Sequence, residues 1–173
     1  MAHALEKAIA SIANAFLALT CLLIAAMAAH VTLDVFFRYL LRAPLAATLE
    51  IGTYYYMIAA TFLPFAAVQL HRDHITVDFV VMGMSASWQW RFQILADALG
   101  AITAGMVAYY STIAALEKSV IAEYTVTQYF NLPLWPSRWM PVLGFGLFSL
   151  VLLMQLIRTA IRGPIVDRTR SET

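Results

Sequence analysis

Three groups of side chains in this sequence carry chemistry that apolar surroundings make costly. His30, Asp34 and Arg38 recur at i, i+4 and i+8, so a helix through them places all three on one face. Such a stripe is the raw material of a proton or ion relay, but nothing polar carries it inward past His30. The simpler chemistry is an Asp34–Arg38 pair closing a long helix, each charge lowering the cost of the other beside lipid. A docking contact with another subunit is the alternative. Asp97 follows Arg91 and Gln93, and an ionisable group there needs a partner. Arg91 or interfacial water would supply one, which makes its role structural. The third group is His71-Arg72-Asp73-His74-Ile75-Thr76-Val77-Asp78. Two histidines and two aspartates so close together suggest metal ligation. Ligands must also converge in space and be held by a supporting shell, which spacing does not provide. The segment therefore reads as a charged helix–loop junction, with no metal or other cofactor expected.

Catalytic signatures are not found. The sequence has no nucleophile elbow, no His-Glu-x-x-His helix and no phosphate-cradling glycine loop. Haem-binding membrane subunits need facing histidines as axial ligands, and only His30 falls within an apolar run. The lone cysteine, Cys21, can form no internal disulfide and reads as a small buried apolar residue. An enzyme is not expected.

The elements that carry these residues follow from composition. Of 173 residues, 62% are hydrophobic and 12% charged, against about a quarter charged in a soluble domain. So few charges cannot cover a water-facing surface, and the lipid bilayer must cover much of it instead. A net charge of +1 argues against a nucleic-acid partner.

Four runs without Asp, Glu, Lys or Arg are long enough to cross a bilayer. They are Ala8 to Leu33, Ile51 to Leu70, Ala98 to Leu116 (reaching back to Phe92 if Asp97 is tolerated) and Trp139 to Ile157. None alternates as a strand does, and helices satisfy every backbone group in hydrocarbon. The expected fold is all-α: one four-helix membrane domain over residues 1–173, with helices at about 8–38, 51–70, 92–116 and 139–160. A charge-free approach from Tyr124 to Ser137 precedes the last helix.

Basic residues set the expected orientation. Lys7, Arg72, Arg91, Arg158, Arg162, Arg168 and Arg170 share one side, against Arg38, Arg42, Lys118 and Arg138 on the other. Seven against four puts both termini in the cytoplasm. Trp88, Trp90, Trp135 and Trp139, with Tyr54 to Tyr56, stand where headgroup-level anchors are expected. Pro64 should kink the second helix, and Gly144 and Gly146 offer close helix contact in the fourth.

Short motifs add a resemblance. Val35-Phe36-Phe37-Arg38-Tyr39 ends helix 1, Pro44 and Glu50 lead into helix 2, and His74-Ile75-Thr76-Val77-Asp78 follows it. Leu132-Pro133-Leu134-Trp135 precedes helix 4, and Pro141-Val142-Leu143-Gly144 lies inside it. In this order on four helices, they resemble the small membrane subunit, the DctQ-like small permease, of tripartite ATP-independent periplasmic (TRAP) transporters. The family commonly has a tryptophan and paired acids before helix 2, where this chain has Ala47, Leu49 and a single Glu50. It commonly has glycine where Pro64 and Asp73 stand.

The resemblance implies a non-catalytic scaffold in the bacterial inner membrane. Its partners would be a large permease subunit, which carries an organic acid inward on a sodium gradient, and the periplasmic binding protein that delivers it. The partner-contacting residues implied are Arg38, Tyr39, Arg42, Glu50, His74 and Asp78. Secondary transporters bind substrate at broken helices with polar midplane groups, and this chain has little polar chemistry there. The competing readings are a small self-sufficient oligomeric transporter working through Asp97 or His30, and a membrane anchor for a redox complex.

Overall fold

The computed structural model describes residues 2–43, 45–71, 85–127 and 130–163. Four helices dominate, and each contains a stretch long and apolar enough to cross a membrane: Glu6–Leu40, Thr48–Leu70, Ser87–Val120 and Trp139–Ile161. Between 17% and 33% of the most apolar part of each is buried within the chain, so most of its apolar surface faces outward, Cys21 included, which is exposed and not buried as expected.

Helix α1 runs Ala2–Leu40. It contains neither glycine nor proline, so nothing in the backbone stops it at the edge of its charge-free run. Helix α2 is composite. Thr48–Ile51 is α-helical, Gly52–Tyr56 forms a π-helical turn, and Met57–Phe62 is α-helical again. Pro64 cannot donate to Ala60, and the helix is interrupted at Leu63 and Pro64 before resuming as Phe65–His71. The interruption is local: Leu63 keeps helical backbone at φ −65° and ψ −35°, and its N–H still bonds the Ala59 carbonyl at 3.1 Å.

Helix α3 runs Ala86–Val120, longer at both ends than the 92–116 expected. A charge-free run marks hydrocarbon, whereas helical propensity carries on through Arg91, Glu117 and Lys118 into the polar layers. Helix α4 runs Trp139–Arg162. Pro141 sits in its first turn, where no intrahelical donor is needed. Gly163, at φ 66°, follows its last turn.

The lead-in to α4 holds an element absent from the expected architecture. Strands β1 (Tyr124–Val126) and β2 (Asn131–Pro133) pair antiparallel, with Tyr124 opposite Pro133, Thr125 opposite Leu132 and Val126 opposite Asn131. The run Tyr-Thr-Val favours extended backbone, and Pro133 is tolerated because both strands are edges. The Thr127 hydroxyl accepts the Phe130 N–H at 3.2 Å and helps close the turn.

Helix α4 is central. It packs on α3 along one side and on α2 along the other, while α1 lies against α2 and α4. Ile9, Ala13, Ala66, Ala67, Leu147 and Val151 form one buried cluster where α1, α2 and α4 meet. Ala101, Ala104 and Leu152 form a second between α3 and α4. Alanine is frequent at both because small residues let helices approach closely when lipid gives them no hydrophobic reason to associate.

The closest approach is at Gly144. A Cβ built there would lie 2.2 Å from the carbonyl oxygen of Phe62, on the turn of α2 just before the break. Gly146 has nothing within 4 Å, so only one of the two glycines noted in the sequence makes a helix contact. Around this crossing Phe62, Phe65, Phe145 and Phe148 group with ring centroids 5.4–6.0 Å apart.

Two of the four tryptophans fasten α3 to α4 at opposite ends. Trp90 Nε1 donates to the Thr159 carbonyl at 2.8 Å, and Trp139 Nε1 to the Ser119 hydroxyl at 3.1 Å. Trp88 and Trp135 are exposed, with the Arg91 guanidinium 5.3 Å above the Trp88 ring.

Candidate interaction site at the hairpin end

The last turns of α1, the start of α2 and the β-hairpin share one end of the molecule. Asp34 organises the first two. It is 5% exposed. One carboxylate oxygen accepts Arg38 Nη2 at 2.9 Å, and the other accepts the Leu45 backbone N–H at 2.8 Å. One side chain therefore ends α1 and holds the segment that turns into α2. Thr48 Oγ1 donates to the Leu45 carbonyl at 3.4 Å, and Ala47 takes left-handed backbone at φ 59° just before α2.

The Asp34–Arg38 pairing is the one the sequence spacing implies. One turn inward, the His30 ring stands edge-on to Tyr56 of α2 at 6.0 Å.

Of the partner-contacting candidates, four lie near one another in this segment. Arg38 and Tyr39 are on the last turns of α1, with Tyr39 88% exposed. Arg42 follows at φ 53°, exposed, and Glu50 is half-buried on the first turn of α2. Among the described residues no ion pair includes Arg42 or Glu50, so these charges stand separately. His74 and Asp78 lie outside the described residues, as do Pro44 and most of the His71-to-Asp78 segment.

The hairpin is fixed to the bundle by contacts that sequence reasoning did not foresee. The Tyr55 hydroxyl on α2 donates to the Pro133 carbonyl. Glu123, between α3 and β1, accepts Arg138 Nε at 3.1 Å and Nη2 at 3.2 Å, with Lys118 Nζ at 3.8 Å. The Arg138 hydrogen bonds hold the Glu123 carboxyl below its ordinary range. Lys118 and Arg138, two of the four basic residues assigned to this side, thus share one acid. The available signal was that Glu123 and Arg138 bracket the charge-free stretch between them.

Polar groups also meet toward the opposite end. Gln69 Nε2 on α2 donates to Gln155 Oε1 on α4 at 2.9 Å, and Gln155 Nε2 donates back to the Gln69 carbonyl at 3.4 Å. On α3, Asp97 is 3% exposed and accepts Gln93 Nε2 at 2.8 Å. Gly100 lies opposite Leu152, so the antiparallel register puts Asp97 level with Gln155. The Gln69–Gln155 bonds join α2 to α4 at depth, and the Gln93–Asp97 bond lies within α3, where an unpaired amide or carboxylate is costly.

Four spanning helices joined by short connections define a multi-pass membrane protein. The family model for the DctQ component of tripartite ATP-independent periplasmic transporters matches residues 27–162, and the chain belongs to that family. The match runs from the middle of α1 to the end of α4 and includes the Asp34 junction and the hairpin. The protein is therefore a small membrane component of a TRAP transporter and not an enzyme. Components of this family work with a large permease and a periplasmic binding protein. No curated protein and no solved structure matches the chain.

Proposed function

We propose that this chain, acting as a single four-helix domain, is a non-catalytic scaffold in the bacterial inner membrane. It braces a large permease that takes up an organic acid on a sodium gradient, and both its termini are cytoplasmic. The observation that carries this reading is how its polar side chains at membrane depth are used. Thr20 bonds the Phe16 carbonyl, Ser149 the Ala101 carbonyl, Gln155 bonds Gln69, and Asp97 bonds Gln93. Each serves helix structure or packing, whereas a substrate site needs polar groups directed into a shared midplane cavity.

The decisive experiment is co-purification from native membranes, followed by transport assays with each component omitted. The chain alone, in liposomes with a sodium gradient, is expected to give no uptake of organic acids, and uptake is expected only with the large subunit present. Robust uptake by the chain alone would overturn the scaffold reading in favour of an oligomeric transporter.

The orientation rests on the arginine bias. A cysteine placed at position 171 should be protected from impermeant thiol reagents in intact cells, and one at position 43 should be labelled. The opposite pattern would reverse the topology.

In this reading the end that carries Arg42 faces the periplasm, and its α1–α2 junction meets the binding protein. Arg42, exposed and in no ion pair among the described residues, is the cation best placed to meet a carboxylate on it. Arg38, Tyr39 and Glu50 flank it in sequence, and His74 and Asp78, outside the described residues, are further candidates for partner contact. An exposed charge of this kind acts mainly on association rate and salt dependence. Arg42→Glu should reduce uptake several-fold at low binding-protein concentration and low salt, with the amount of assembled membrane complex unchanged. Uptake equal to wild type across binding-protein and salt concentrations would remove Arg42 from the docking surface.

A further inference from the structure

Between α3 and α4 the chain crosses the hairpin end without one charged side chain from Tyr124 to Ser137. Average composition would put about three charges in such a stretch. The hairpin that fills it has two unlike faces. Thr125 and Leu132, a cross-strand pair, share one face, and Leu132 is buried. Tyr124 and Val126 share the other with their cross-strand partners Pro133 and Asn131, and Val126 is 74% exposed. Phe130 and Trp135 flank the strands and are also exposed.

The bonds described above set the depth of this face. Trp139 on Ser119 puts the start of α4 level with the end of α3. The charge-free run of α3 ends at Leu116, just before Glu117 and Lys118, and that of α4 begins at Trp139. The edge of the hydrocarbon therefore passes close to this level, and the hairpin lies immediately beyond it. The headgroup layer there is roughly 5–7 Å deep, and a two-stranded ribbon is about 5 Å from strand to strand. Val120 and Ile121, at the end of α3, are exposed and apolar, and Glu123 with its Arg138 and Lys118 partners separates them from Tyr124 on the hairpin. Tyrosine and tryptophan favour this layer, where an apolar ring and a polar tip are both accommodated.

We propose that the hairpin is a membrane-surface anchor, with Tyr124, Val126, Phe130 and Trp135 inserted among the lipid headgroups at this end. Through Tyr55 on Pro133 and Arg138 on Glu123, the anchor sets the height of the α2, α3 and α4 ends relative to the bilayer. The occupant is lipid and not a protein partner, because the face lies just beyond the level of the hydrocarbon edge and offers aromatic and apolar side chains in a stretch without charge.

The test uses the full chain with Cys21→Ser and Val126→Cys, carrying an environment-sensitive fluorophore. It is reconstituted in phosphatidylcholine–phosphatidylglycerol vesicles, alone and with its co-purified membrane partner. Ala43→Cys in the same background is the reference. The Val126 position should show blue-shifted emission and several-fold stronger quenching by headgroup-nitroxide lipid than the reference, with weaker quenching by iodide. Iodide quenching equal to the reference places the face in water and overturns the anchor. Shielding from both quenchers, in the chain alone or in the complex, places protein on the face and overturns it equally. Val126 is exposed, so the cysteine leaves the fold intact, and circular dichroism of the labelled chain checks this.

Discussion

Gly144→Ala is expected to pull α2 away from α4, and Gly144→Val to do so more severely. The added Cβ would stand 2.2 Å from the Phe62 carbonyl oxygen and 2.8 Å from its carbon. Both are backbone atoms, so no rotamer change relieves the overlap, and the helices must separate. Separation disturbs the Phe62, Phe65, Phe145 and Phe148 group and the neighbouring Ala66, Ala67, Leu147 and Val151 cluster. Overpacking of this kind costs about 1–3 kcal/mol, and more where backbone must shift. Two internal controls set the scale. At Gly146 a Cβ meets nothing within 4 Å, so Gly146→Ala should be neutral or slightly stabilising through helix propensity. At Gly100 it meets Leu152 Cδ1 at 3.2 Å, the far end of a flexible side chain, so Gly100→Ala should fall between them. Unfolding in mixed micelles by added SDS, followed by circular dichroism, measures the order. Gly144→Ala matching Gly146→Ala would remove the close crossing from the account of this fold.

Asp34→Ala should produce the second large effect, at the junction of α1 and α2. The substitution takes away the acceptor of the Leu45 N–H and the counter-charge of Arg38 together. A hydrogen bond to a charged group is worth roughly a factor of ten in the folded-to-unfolded ratio, and an acceptor lost at a buried position adds desolvation cost. The folded-to-unfolded ratio should therefore fall at least tenfold. Asp34→Asn keeps an oxygen for Leu45 and loses the charge, so its loss should be smaller. Arg38→Gln should be mildest, because the guanidinium is largely exposed and the backbone bond survives. The same micelle unfolding series reads all three. Arg38→Gln as damaging as Asp34→Ala would mean that the ion pair, and not the bond to Leu45, holds the junction. The order also bears on docking, since Arg42 projects from backbone positioned by this carboxylate.

Much of this architecture is a direct consequence of composition and order along the chain. With 12% charged residues gathered outside four long apolar runs, the chain has only one way to satisfy its backbone in lipid, which is four spanning helices. The Asp34–Arg38 pair is local too, because one helical turn brings i and i+4 together whatever surrounds them. Pro64 interrupts the hydrogen bonding of α2 for an equally local reason, the missing donor.

What tertiary structure alone decided is how the helices face one another. Gly144 and Gly146 are alike in sequence, and only the crossing of α4 over Phe62 makes one indispensable and the other free. Leu45 as a partner of Asp34, Gln155 as a partner of Gln69, and Tyr55 at the hairpin each join residues that no helical period relates. The hairpin itself was hidden because a short charge-free run reads equally as a loop or as the approach to a span. Its strands exist through pairing with each other and through Glu123 and Tyr55, contacts made only once α2, α3 and α4 stand side by side. In lipid the hydrophobic effect puts helices across the membrane but does not choose their neighbours. That choice falls to close backbone approach and a few interhelical hydrogen bonds, and these depend on three-dimensional register rather than on residue type.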